Sequence, residues 1–188
     1  MIVSFNMLYS VYTCLGAIVN NLVAPFGYTS KDSSIFGVAF ILSGLISSAV
    51  VSGYLDKTNK YLKTMKVLCF GTLICSACML ITLPSKNVWL LTINISVVGI
   101  FILPIIPTCY NFGTELTYPV SEAMTNGFML FFSQILGTGM TFGATILSNY
   151  KPERMYTVIL LLIMMTISCI ASIFVKEDLR RLNLTKQI

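Results

Sequence analysis

VWLLTINISVVGIFILPIIPTCY, residues 88–110, carries no charge from end to end and is long enough to cross a bilayer as a helix, which needs about 20 mainly apolar residues. Working outward from it, five further runs have the same character, at about Val3–Phe26, Ser34–Leu55, Val67–Leu83, Ala123–Leu147 and Met155–Val175. The breaks carry loop punctuation or charge: Gly27–Ser33, Asp56–Lys66, Pro84–Asn87, Glu115–Glu122 and Ser148–Arg154. Membrane-spanning strands would be about 10 residues long with a period of two; these runs are longer and do not alternate. The expectation is an all-α integral membrane protein: six transmembrane helices in residues 1–175 and a polar tail at 176–188.

Composition agrees. Of 188 residues 56% are apolar and 10% charged, where a soluble domain carries about 25% charged residues. Too few charges remain to solvate a globule, which excludes a cytosolic domain, a disordered tail and a nucleic-acid-binding module. Histidine is absent, removing the commonest general base and metal ligand. With no nucleophile–base pair and no metal cluster in view, no enzyme activity and no cofactor are expected. The first run is not read as a signal peptide: no basic region precedes it, and Asn20, Asn21 and Pro25 stand where a cleavage site needs small residues.

The basic residues set an orientation. Lys57, Lys60, Lys63 and Lys66 share a side with Lys176, Arg180, Arg181 and Lys186, whereas Lys31, Lys86, Lys151 and Arg154 lie opposite. Positive charge concentrates in the cytoplasm, so both termini are expected there; the membrane itself, plasma or organellar, is left open. Cys14, Cys69, Cys75, Cys78, Cys109 and Cys169 all fall within runs, and Cys75-x-x-Cys78 reads as small apolar packing rather than a metal pair. The sequons at Asn94 and Asn183 sit in a helix and in the cytoplasmic tail, so neither is expected to be glycosylated.

Helices 1 and 4 are the interrupted ones, the first by Gly16, Asn20, Asn21 and Pro25, the fourth by Gly99, Pro104 and Pro107. If the chain is two sets of three helices, these occupy equivalent places, and paired broken helices point to a transporter site. Trp89 at the start of helix 4 reads as an interfacial anchor, and Gly139-x-x-x-Gly143 as a helix-packing pair.

Three segments carry a resemblance. SGYLDKTNKYLK, residues 52–63, is similar to the loop motif of major facilitator transporters, with small residues, then Asp56 and Lys57, then spaced bases; Ser52 and Asn59 stand where that motif has glycine. GTELTYPVSE at 113–122, followed by Gly127 and SQILG at 133–137, resembles the feline leukaemia virus subgroup C receptor-related family, as does the tail VKEDLRR at 175–181. The resemblance spans about residues 4 to 187 and matches only the second six helices of that twelve-helix major facilitator fold.

It implies alternating-access transport of choline or ethanolamine, or of haem on the older assignment. The partners implied are a small-molecule substrate, the lipid bilayer and a missing N-terminal six-helix half or a second chain. A non-transporting membrane protein or assembly partner is the alternative. Choline is a quaternary ammonium and is held best by aromatic faces. Tyr12 and Asn20, with Gly16 between them, fall at i, i+4 and i+8 on one helix face; the family's cage aromatic stands one place on, where this chain has Thr13. Gln134 matches the family's intramembrane glutamine. Tyr12, Asn20 and Gln134 are therefore the expected substrate-binding residues, and Asp56, Lys57, Glu115 and Glu122 the expected gating charges.

Overall fold

The computed structural model describes residues 2–150 and 156–174. The basic tail at 176–188, Lys151, Arg154 and the Asn183 sequon lie outside the described residues. The elements are α1 (Ile2–Val23), a 3-10 turn (Ala24–Phe26), α2 (Ser30–Thr58), α3 (Tyr61–Thr82), α4 (Val88–Ile102), α5 (Ile105–Thr117), α6 (Glu122–Tyr150) and α7 (Tyr156–Ile173). Because α4 and α5 form one span, six helices among the described residues are long and apolar enough to cross a membrane. The chain is an all-α, multi-pass membrane protein.

Local chemistry sets the helix ends. Thr29 and Asp32 form a reciprocal capping box at the start of α2: the Asp32 backbone N–H donates to Thr29 Oγ1, and the Thr29 backbone N–H donates to Asp32 Oδ2 at 2.8 Å. Asn87 Oδ1 accepts from the backbone N–H groups of Trp89 and Leu90 and so caps α4. The Tyr28 hydroxyl donates to the Leu83 carbonyl at the end of α3. Between α2 and α3 only Asn59 and Lys60 lie outside helix, with Asn59 in the left-handed region at φ 53°. The charged stretch at 56–66 is thus mostly helical. Lysine is a good helix former, and α2, about 43 Å long at 1.5 Å per residue, outreaches a hydrocarbon core of about 30 Å.

Only one span is broken inside the membrane. α1 runs unbroken through Gly16, Asn20 and Asn21, and Pro25 merely ends it in the 3-10 turn. Pro104 divides α4 from α5. A proline has no N–H and leaves the carbonyl four residues back without its helical partner. Here that is Ile100, and the Ser47 hydroxyl of α2 donates to it at 2.7 Å. The Ile106 N–H turns to Leu103 in a tighter bond of 3.2 Å, and the ladder resumes from the Thr108 N–H to Pro104. In lipid no water is at hand to repair such a gap, so a neighbouring helix does.

The helices pair by exchange between the two sets of three. α1 packs mainly on α6 and α2 on α4, while α3 lies against both α4 and α7, and α7 against both α1 and α3. Contacts climb together along α1 and α6, from Asn6 and Ser10 with Ser133 to Thr13 with Gly137, so these two helices run parallel. Along α2 and α4 the same holds: Ser43 donates to Ser96 and Ser47 to Ile100. An axis relating α1 to α4–α5, α2 to α6 and α3 to α7 thus describes the pairing, with each repeat inverted across the membrane.

Glycines set the close approaches. A Cβ on Gly44 would sit 2.6 Å from Leu103 Cδ2, one on Gly99 would collide with the Phe40 carbonyl, and one on Gly71 with the Phe101 ring. Gly137 is the packing glycine of α6. A Cβ at Gly139 or Gly143 meets nothing within 4 Å, so the expected packing pair is corrected to Gly137, two residues before Gly139 and about 200° round the helix from it. Of the cysteines, Cys14, Cys69, Cys109 and Cys169 are buried as small apolar residues, Cys75 is half-buried and Cys78 is exposed; the packing reading does not extend to Cys78. Asn94 lies within α4 with its Oδ1 buried. Trp89 is 79% exposed at the start of α4, where an interfacial anchor stands.

Gly99→Val should be severely destabilising, since the clash is with backbone and overpacking costs about 1–3 kcal/mol or more. Ser47→Ala should cost about 1 kcal/mol by orphaning the Ile100 carbonyl. Reversible unfolding of the chain in mixed micelles reads both, and a Gly99→Val protein as stable as the parent would contradict the α2–α4 crossing.

Candidate functional site

One face of α1 carries Tyr9, Tyr12, Thr13, Gly16 and Asn20, none of them fully buried. Three of these, Tyr12, Thr13 and Gly16, line a cavity of about 350 Å³ between α1, α2 and α4. Its remaining wall is apolar, with Phe36, Phe40, Met79, Ile95 and Val98 among the residues that close it. The Tyr12 ring stacks on Phe40 with centroids 6.1 Å apart and planes at 20°. A second cavity of about 330 Å³ opens on the other side of Thr13, between α1 and α6, lined by Ala17, Gln134, Gly137, Thr138, Thr141, Phe142 and Thr145. Neither wall contains a charged residue.

The expected binding residues therefore part company. Tyr12 lies in the first cavity and Gln134 in the second, with Thr13 shared between them. What joins them is a residue that the sequence did not single out. Gln134 Nε2 donates to the Tyr9 hydroxyl at 3.3 Å, and the Tyr9 and Tyr12 ring centroids are 5.9 Å apart. Tyr9 precedes Tyr12 by three residues, one helical turn, which is the signal that would have found it. Phe40 was missed because nothing in the sequence says that α2 crosses α1 at that height.

Asn20 lines neither cavity. It is exposed, two turns beyond Tyr12, and its Oδ1 accepts from the Ser33 hydroxyl at 3.0 Å, tying α1 to the first turn of α2. Asp56 and Lys57 stand exposed in the last turn of α2. There Lys57 suits the negative end of the helix dipole and Asp56 opposes it. Glu115 is half-buried near the end of α5, and Glu122 is exposed as the first residue of α6, the favourable end for an acid. Successive crossings bring these four to the same side of the bundle as the start of α1. The turn between α5 and α6 is closed by a hydroxyl–hydroxyl bond of 2.8 Å between Thr117 and Thr125. Among the described residues no three of Cys, Asp and Glu gather into a group that would hold a metal ion.

Comparison with known proteins gives this arrangement a context. No protein-family profile matches the sequence. The human choline/ethanolamine transporter FLVCR2 is 24% identical over 192 residues, covering 100% of this chain and 36% of the human protein. The zebrafish (Danio rerio) choline/ethanolamine transporter flvcr2a is 26% identical over 189 residues, 96% of this chain and 38% of its own. An MFS-type transporter of Caenorhabditis elegans is 22% identical over 179 residues, 95% of this chain and 30% of its own. The all-α fold and these relatives make the chain similar to a segment of major facilitator-type membrane transporters. Among these the similarity is to the feline leukaemia virus subgroup C receptor-related family, and the chain aligns with the C-terminal part of its relatives. It spans about one third of the length of the curated relatives it matches. Those relatives are transporters by name, and the inverted three-helix repeat seen here is the arrangement on which major facilitator carriers are built.

The Asn20–Ser33 bond gives a direct test of where Asn20 acts. Asn20→Ala should lower stability by about 0.6–1.7 kcal/mol, the range for hydrogen bonds between membrane helices. Ser33→Ala added to it should change little, because the two share one interaction. Measured solute binding that falls while stability holds would place Asn20 among the binding residues.

Proposed function

We propose that this chain is one half of a carrier that moves choline or ethanolamine across a membrane by alternating access, with no catalytic chemistry of its own. The observation that carries the reading is the uncharged pair of cavities flanking Thr13, with aromatic faces on one side and an amide with hydroxyls on the other. A quaternary ammonium has no N–H to donate, so a carboxylate is not needed to hold it. Stacked aromatic rings attract it through their quadrupoles, each contact worth about 0.5–2 kcal/mol according to desolvation. The hydroxyl end of such a solute needs a hydrogen-bond partner, and Gln134 with the threonines of α6 supplies that type of group.

In this reading Tyr12 and Gln134 meet the solute and Asn20 borders its path. Both cavities are walled on only some sides by this bundle, and exposed polar groups such as Asn20, Asn21 and Gln134 are poorly served by lipid. A second six-helix unit, on the same or another chain, would cover that face. The termini lie in the cytoplasm, because eight of the basic residues fall on their side and four on the other. Asp56, Lys57, Glu115 and Glu122 then form the charged cytoplasmic end, whose contacts shift between the two access states.

The test places residues 1–188 in the position of the aligned segment of human FLVCR2 and measures choline uptake and binding in the chimera. Saturable uptake is expected. Gln134→Ala should weaken binding by about 0.5–3 kcal/mol with thermal stability kept. Asp56→Asn should slow turnover with binding little changed, because it removes one charge from the cytoplasmic end whose contacts shift between the two access states. A chimera that folds, reaches the membrane and binds no choline would refute the reading.

A further inference from the structure

Gln134 is held by a neighbour whose own position is firmly fixed. The Tyr9 ring packs 5.6 Å from Phe5 and 5.9 Å from Tyr12, and Phe5 is fully buried and packs in turn 5.3 Å from Tyr110. The phenol oxygen is therefore a fixed point on α1. Gln134, by contrast, is exposed on α6, and the Tyr9 hydroxyl is the partner on α1 to which its Nε2 donates. Just below, Ser133 donates to Asn6 at 2.7 Å, and just above, Gly137 lets α6 close on Thr13. The spacing between the two helices at this level is thus set independently of the glutamine.

A glutamine amide has two N–H donors and one carbonyl acceptor. Once one N–H is committed to Tyr9, rotation of the amide about its last torsion is no longer free. That leaves the second N–H and the carbonyl for the groove that Gln134 lines together with Thr13, Thr138 and Thr141. We propose that Tyr9 is a positioning residue: it turns Gln134 so that the amide presents its carbonyl, an acceptor, to the hydroxyl or ammonium hydrogen of the solute. The proposal rests on the solute-binding reading above and adds a source of selectivity to it. A solute with an O–H or N–H is favoured over a pure tetraalkylammonium, because only the former can use the oriented carbonyl.

Two probes separate these classes: choline, which has a hydroxyl, and tetramethylammonium, which has no donor. The chimera of residues 1–188 with human FLVCR2, in lipid nanodiscs, is titrated with each, and the Gln134 side-chain amide is followed by nitrogen-15 NMR, assigned through its disappearance in Gln134→Ala. Tyr9→Phe keeps the ring and removes only the hydroxyl. It should move the Gln134 amide resonances and weaken choline about three- to tenfold, the effect of one hydrogen bond. Tetramethylammonium binding should stay within about twofold, since that probe cannot use the carbonyl. In the Gln134→Ala background, Tyr9→Phe should weaken choline no further. Amide resonances that do not move, equal weakening of both probes, or losses that add would each overturn the positioning role. A wild-type chimera that binds neither probe overturns the solute-binding reading, and this role with it, even where the amide resonances shift; the two failures are thereby told apart.

Discussion

Hydrocarbon gives one apolar helix little reason to prefer another over lipid, so a bundle of six must be held by close contact and by polar groups with nowhere else to bond. In this chain both conditions meet at two crossings. Between α2 and α4, Gly44 and Gly99 let the backbones approach until Ser43 and Ser47 reach the carbonyls of Ser96 and Ile100. Between α1 and α6, Gly137 does the same for Thr13, beside the Asn6–Ser133 and Tyr9–Gln134 bonds. The remaining helices fill in around these pairs, with α3 and α7 packed together and joined by the Ser76 hydroxyl on Met165 sulfur at 2.8 Å.

The break in the fourth span follows from the same constraint. A proline in mid-membrane is tolerable only where the freed carbonyl finds a donor, and Ser47 is that donor because the glycines have already brought α2 close. The broken helix and the tight crossing are therefore one feature. On the other side of the pseudo-symmetry, α1 keeps its ladder intact and spends its small residues on the cavity wall. Thr13 faces α6 and both cavities, and Gly16 leaves room beside Tyr12. Packing and cavity share a helix face, so the residues that build the bundle are also the ones that shape the site.

How much of this was legible in advance depended on range. Six spans and their order follow from uncharged length alone, because a bilayer sets that length physically. Pairing did not follow, since any small-residue stripe is an equal candidate until a partner arrives. Gly139 and Gly143 had the better motif, yet Gly137 made the contact. The reach of helix into 56–66 was hidden because lysine is as content in a helix outside the membrane as in a loop. In the site, Tyr12 and Gln134 stood out as polar or aromatic groups at membrane depth. That they open on two different cavities, and that Tyr9 links them, depended on the parallel register of α1 and α6, which no local pattern encodes. Asn20 had the right helix face but bonds to Ser33, a partner on the following helix.

The exchange of helices between the two sets of three is the claim on which the rest stands, and the α1–α6 crossing tests it most directly. A Cβ at Gly137 lies 3.8 Å from Thr13 Cβ, matching the mean separation of about 3.8 Å in disulfides. With the native cysteines replaced, a chain carrying Thr13→Cys and Gly137→Cys should oxidise readily, and mass spectrometry of the digested product should find these two positions linked within one chain. A pair that stays reduced in a folded, membrane-inserted chain, under conditions that oxidise exposed thiols, would contradict the parallel α1–α6 pairing and with it the architecture of the site.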